Sequence, residues 1–186
     1  MLALEMTPKL KFWLFDNHWV ISFVLLLAIF VTWASVGTPQ TWSFLCPAVG
    51  TVLGLSYFAL KQHLEEIRLF KELFCSFNAR YDARNKRLYA LLDAPPEQRL
   101  TPDEIKLLYD YFNLCAEEYL YYRKGFIYPQ VWDAWLNGMV IFFRNSRIRL
   151  LWEKELQTNS YYGFTITCLQ CAAQRLARAE LKEQQH

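Results

Sequence analysis

Trp19 to Val36 reads WVISFVLLLAIFVTWASV, and Thr41 to Leu60 reads TWSFLCPAVGTVLGLSYFAL. These two stretches decide the fold. They lie inside a run from Asn17 to Leu60, 44 residues without Asp, Glu, Lys or Arg. About 30 Å of hydrocarbon is crossed by roughly 20 apolar residues rising ~1.5 Å each, so the run is long enough for two spans. Gly37-Thr38-Pro39-Gln40 separates them, pairing a helix-ending glycine with a proline that cannot continue the helix. Trp19, Trp33, Trp42 and Tyr57 fall near the expected span ends, where amphipathic rings favour the headgroup zone. The expectation is a two-helix transmembrane hairpin over 19–60, with spans 19–36 and 41–60. A buried hairpin of a soluble protein is the competing reading.

The flanks set the orientation. Lys9 and Lys11 precede the first span, Lys61, Arg68 and Lys71 follow the second, and the turn is uncharged. Positive charge resists translocation, so both termini are expected in the cytoplasm, with the Gly37–Gln40 turn outside. Residues 1–18 mix Glu5, Lys9, Lys11 and Asp16, which suits an uncleaved interfacial segment better than a signal peptide.

Residues 61–186 form the expected cytoplasmic domain. They hold 18 of the 20 Lys and Arg and 16 of the 18 Asp and Glu. A balance so near neutrality argues against a dedicated nucleic-acid binder. Leu60, Leu64, Ile67, Phe70, Phe74, Phe77, Tyr81, Leu88 and Leu91 recur at helical steps, so the second span is expected to continue as a stalk helix until Pro95-Pro96. Thr101-Pro102-Asp103-Glu104 opens another helix, with Thr as N-cap, Pro at the first position and acids in the first turn. Ile105, Leu108, Phe112, Cys115 and Tyr119 share one face of it, and Gly125 stops it. Further helices are expected from Tyr128-Pro129, over 145–156 and over 161–183. Sustained two-residue alternation is absent, so the fold class is all-α: a membrane hairpin, a stalk, then a helical bundle.

Catalytic equipment is sparse. His18, His63 and His186 lack metal-binding or nucleophile-activating spacing, and no phosphate-binding or nucleophile-elbow motif occurs. Glu117-Glu118 offers acid–base groups, but adjacent acids within a helix read more simply as a solvated edge with one member ion-paired. Cys168-Leu-Gln-Cys171 lacks a second pair of ligands for zinc and falls inside a predicted helix, so it reads as two small core residues. Five cysteines in scattered positions do not form a disulfide framework. The chain is expected to be no enzyme and to need no cofactor, metal or small-molecule substrate.

Two features point to binding. Gly50-Thr-Val-Leu-Gly54 removes side chains from one helix face, and Ala48, Ser56 and Ala59 add small residues near it. That face packs either against the first span or against a second copy. Arg80, Arg84, Lys86 and Arg87 form one basic cluster; Arg144, Arg147 and Arg149, beside Phe143 and Trp152, form another. Such clusters dock a nucleic acid or protein, or else form solvated faces paired with Glu65, Glu117 and Glu153.

The hairpin-then-stalk order, with Leu107-Leu-Tyr-Asp-Tyr-Phe-Asn-Leu-Cys-Ala-Glu117, Arg123-Lys-Gly-Phe-Ile127 and Trp152-Glu153, resembles a family of membrane-anchored helical bacterial proteins found among phage-defence genes. In layout it is similar to the two-span effectors of some retrons. That resemblance implies a toxin held silent by a cytoplasmic protein or ribonucleoprotein complex, such as a reverse transcriptase with its RNA–DNA hybrid. On release it would self-associate and damage the inner membrane. The family supplies no catalytic residues. A membrane-anchored adaptor without toxicity is the alternative.

Overall fold

The computed structural model describes residues 17–36, 42–95 and 97–183; the 1–16 segment and the 37–40 turn lie outside the described residues. Among these the chain is all-α, with six helices and no strand: α1 (His18–Val36), α2 (Trp42–Asp93), α3 (Pro102–Arg123), α4 (Pro129–Phe143), α5 (Ser146–Leu156) and α6 (Ile166–Glu183). The chain divides into two compact units, Met1–Leu69 and Phe70–His186.

In the first unit, α1 and α2 meet where the Ser22 and Ser56 hydroxyls hydrogen-bond at 2.7 Å. Ser22 lies as far before the end of α1 as Ser56 lies after the start of α2, so the two helices run antiparallel. Ser22, Leu26 and Ile29 of α1 are half-buried, as are Val52, Ser56 and Ala59 of α2. Both sets follow i, i+4, i+7 steps, which place them on single faces.

Among the described residues no helix is long and apolar enough to cross a membrane.

The second unit is built around α3. Its start follows the sequence expectation: Thr101 and Glu104 form a reciprocal capping box, with Thr101 N–H donating to Glu104 Oε2 at 2.7 Å and Glu104 N–H to Thr101 Oγ1 at 3.3 Å. That backbone donor from Thr101 holds the Glu104 carboxyl below its usual range. The sequence assigned one apolar face to α3. The structure buries most of its circumference, from Leu107 and Leu108 through Tyr111, Phe112, Leu114, Cys115, Ala116, Glu118 and Tyr119. The solvent stripe that remains is narrow, with Asp103, Lys106, Asp110 and Asn113 exposed along one side.

Aromatic rings fill the space around α3. Phe112 and Trp152 stack at 4.5 Å and 11°, Tyr111 meets Phe142 edge-on at 5.1 Å, and Phe164 approaches Tyr119 at 5.3 Å. Helix α2 runs unbroken to Asp93, as the sequence expects; of its apolar stripe Phe77, Leu88 and Leu91 are buried, while Leu60, Leu64 and Ile67 are exposed. The last helix begins at Ile166 rather than near Tyr161. Tyr162 (φ 51°) and Gly163 (φ 81°) take left-handed conformations, which no helix tolerates, while their neighbours Tyr161 and Phe164 are buried. The Phe164 N–H closes that turn on the Tyr161 carbonyl at 2.8 Å.

Candidate functional site

The small residues of α2 do not form one face. Ala48, Val52, Ser56 and Ala59 lie on the half-buried side with the Ser22 contact. Gly50 and Gly54 each sit two residues from that row. At 100° per residue this turns them roughly 160° away. A Cβ built on either glycine meets nothing within 4 Å. Among the described residues α1 therefore does not cover Gly50 and Gly54, and the sequence's grouping of Ala48 and Ser56 with them is corrected. The surrounding surface is apolar and exposed, with Leu53, Leu55, Tyr57 and Phe58 on α2 and Trp19, Phe23 and Phe30 on α1.

The basic clusters divide between surface and core. Arg80 grips Glu117 with both guanidinium nitrogens, Nη1 on Oε2 and Nη2 on Oε1, the latter at 3.0 Å. Arg84 is half-buried and donates to the Arg80 carbonyl at 2.7 Å. Lys86, Arg87 and Arg149 are exposed, and the exposed Arg144 reaches Glu180 at 3.0 Å.

Two members of the second cluster are core residues and leave the docking set. Arg147, 8% exposed, donates to the carbonyls of Leu91 at 2.6 Å and Gln98 at 3.0 Å. It thereby satisfies acceptors at and beyond the end of α2, which have no partner within their own helix. Trp152 is fully buried, so no docking partner reaches it in this conformation. Arg-rich spacing is the same for a docking face and for a buried carbonyl clamp, which is why sequence grouped them.

Glu117 and Glu118 separate into different roles. Glu117 is the ion-paired member. Glu118 is not a solvated edge: it is 6% exposed, and burial pushes its carboxyl up to about 8 even though the Arg80 charge opposes the rise. Burial also raises the neighbouring Tyr111 hydroxyl and Cys115 thiol well above their usual values. The signal for this cluster was present in sequence as Tyr111, Cys115 and Glu118, spaced four and three apart on one helix face.

In the CxxC pair, Cys168 is half-buried and Cys171 exposed, so only the first approaches the predicted core role. Among the described residues no group of three or more His, Cys, Asp or Glu is placed to hold a metal ion. No protein-family model, curated protein or solved structure matches the chain.

Proposed function

We propose that the protein is a membrane-embedded effector of a bacterial anti-phage system of retron type. A cytoplasmic partner complex restrains it, and on release it perturbs the inner membrane through helix–helix association of its hairpin. The observation that carries this reading is the uncovered Gly50/Gly54 face on an uncharged, apolar-surfaced hairpin. Exposed apolar surface on this scale needs a cover. Lipid supplies it along α1, and a second copy supplies it at the glycines, where backbones approach closely.

Induction of the full chain in bacteria tests the proposal by membrane potential and viability. Rapid depolarisation is expected from wild type and its loss from the Gly50→Leu/Gly54→Leu double variant, with membrane levels of the protein unchanged. Equal toxicity of the double variant would remove that face from the mechanism.

The exposed Lys86, Arg87 and Arg149 favour a second reading, a membrane-anchored adaptor that localises a soluble complex. It predicts no depolarisation by wild type and loss of partner co-purification on charge reversal at these three positions.

A further inference from the structure

Within the second unit, α2, α3 and α4 enclose a cavity of about 220 Å³, lined among others by Asn78, Tyr81, Tyr111, Glu118, Trp135 and Gly138. Tyr111, Glu118 and Met139 are buried at its floor, and Ala134 is exposed at its rim. Its polar lining comes from Asn78, Tyr81, Tyr111 and Glu118, of which Glu118 alone carries an acid. Glu118 receives no hydrogen bond from any described residue. Its oxygens nevertheless differ from Asn85 Oδ1 and Asn137 Oδ1, which are sealed and unpaired: the carboxyl keeps access to the cavity.

The charges around Glu118 do not cancel. The Arg80 guanidinium is spent on Glu117. Tyr81, Tyr111 and Cys115 are held neutral by burial. No titratable side chain of α4 lines the space, and Asp133 on that helix pairs with Arg175. An ionised Glu118 is therefore one uncompensated negative charge facing an aromatic-walled void. A buried carboxylate persists only with a proton or a counter-ion.

We propose that this cavity binds a small organic cation, an alkyl- or quaternary ammonium, with Glu118 as counter-ion and Tyr81, Tyr111 and Trp135 as its aromatic wall. Aromatic faces attract such cations electrostatically, most strongly where water is excluded. A hard metal ion is the poorer fit, because it requires six or more oxygen ligands and this wall offers one carboxyl, Glu118, one amide, Asn78, and the neutral hydroxyls of Tyr81 and Tyr111. Gly138 supports retained space rather than a packing fault. It lies inside α4, where glycine weakens a helix relative to alanine, and a Cβ there meets nothing within 4 Å. No neighbouring atom forces the glycine; a larger side chain would occupy the cavity.

Calorimetric titration of tetramethylammonium chloride into the full chain in maltoside micelles tests the site. Ionic strength is matched with sodium chloride, and tert-butanol serves as the uncharged probe of similar shape. Saturable binding of the cation alone is expected. With Glu118 titrating at about 8, its ionised fraction rises from about 3% at pH 6.5 to about 90% at pH 9, so apparent affinity is expected to rise about thirtyfold. Glu118→Gln keeps the shape, removes the charge and is expected to weaken binding at least tenfold at pH 9. Gly138→Leu is expected to abolish it with helical content unchanged, and carries the test should the glutamine variant fail to fold. No saturable heat at pH 9, equal uptake of tert-butanol, or unchanged affinity in Glu118→Gln would each overturn the assignment.

Discussion

Arg80 on α2 and Glu117 on α3 share two hydrogen bonds across 37 residues of chain, and the pairing fixes the fate of the residue beside it. With its guanidinium committed to Glu117, Arg80 acts on Glu118 only through its field. One acid becomes a structural clasp and its neighbour a buried, protonatable group.

Loss of the clasp therefore has two readouts. Both partners are about one-third exposed, so solvent screening limits the pair to about 1 kcal/mol despite its two-point geometry. Arg80→Ala is expected to destabilise the protein by that amount in chemical unfolding. It is also expected to raise the Glu118 titration above its value of about 8, because the one nearby charge favouring the carboxylate has gone. Carboxyl-carbon NMR through a pH series measures the second effect. A downward shift would contradict the role assigned to Arg80.

Glu118 also makes stability depend on pH. Its folded value, about 8, stands above the ordinary 4.5, so the native state holds this proton more tightly than the unfolded chain. The stability it contributes is complete below about pH 4.5, declines as pH rises, and is gone once pH passes about 8. For a group so fully buried the total is on the order of 4 kcal/mol. Glu118→Gln is expected to flatten the decline between pH 5 and 8. Thermal unfolding followed by near-ultraviolet circular dichroism compares the two slopes, and parallel slopes would show that another group titrates there.

Much of the fold was legible because local chemistry dictated it. The Thr101–Glu104 capping box, Pro129 in the first turn of α4 and the α5 span all follow from residues within a few positions of the helix start. What sequence missed depends on contacts between distant elements. Arg147 looks like a surface cation until the carbonyl of Leu91, 56 residues away, is seen to accept from it. Gly50 and Ser56 look like one small-residue patch until the Ser22 contact reveals that α1 covers only the serine side. Helix phase sets Glu118 beside Tyr111 and Cys115, but the pairing of Glu117 depends on Arg80, 37 residues away.

The carbonyl clamp yields a contrast within one cluster. Arg147→Met keeps much of the side-chain volume but strips the donors from the Leu91 and Gln98 carbonyls in a buried setting. Unmet acceptors there are expected to cost about 3 kcal/mol. Arg149→Glu alters an exposed residue two positions on and is expected to stay within about 0.5 kcal/mol of wild type. Denaturant midpoints at constant slope give both numbers. Similar losses from the two variants would return Arg147 to the surface.

Trp152 closes the core against Phe112, and its indole nitrogen is buried without a partner. Two substitutions separate packing from polarity. Trp152→Ala empties a fully buried site and is expected to cost about 3–5 kcal/mol. Trp152→Phe retains an aromatic face for Phe112 and also deletes the unpaired N–H, whose burial costs roughly 1–3 kcal/mol. That relief offsets much of the smaller void, so the phenylalanine variant is expected within about 1 kcal/mol of wild type. Partner capture distinguishes a core residue from a docking one: Trp152→Phe is expected to retain any complex that the wild-type chain co-purifies. Loss of the complex from a variant with native unfolding behaviour would mean that the indole is exposed in the bound state.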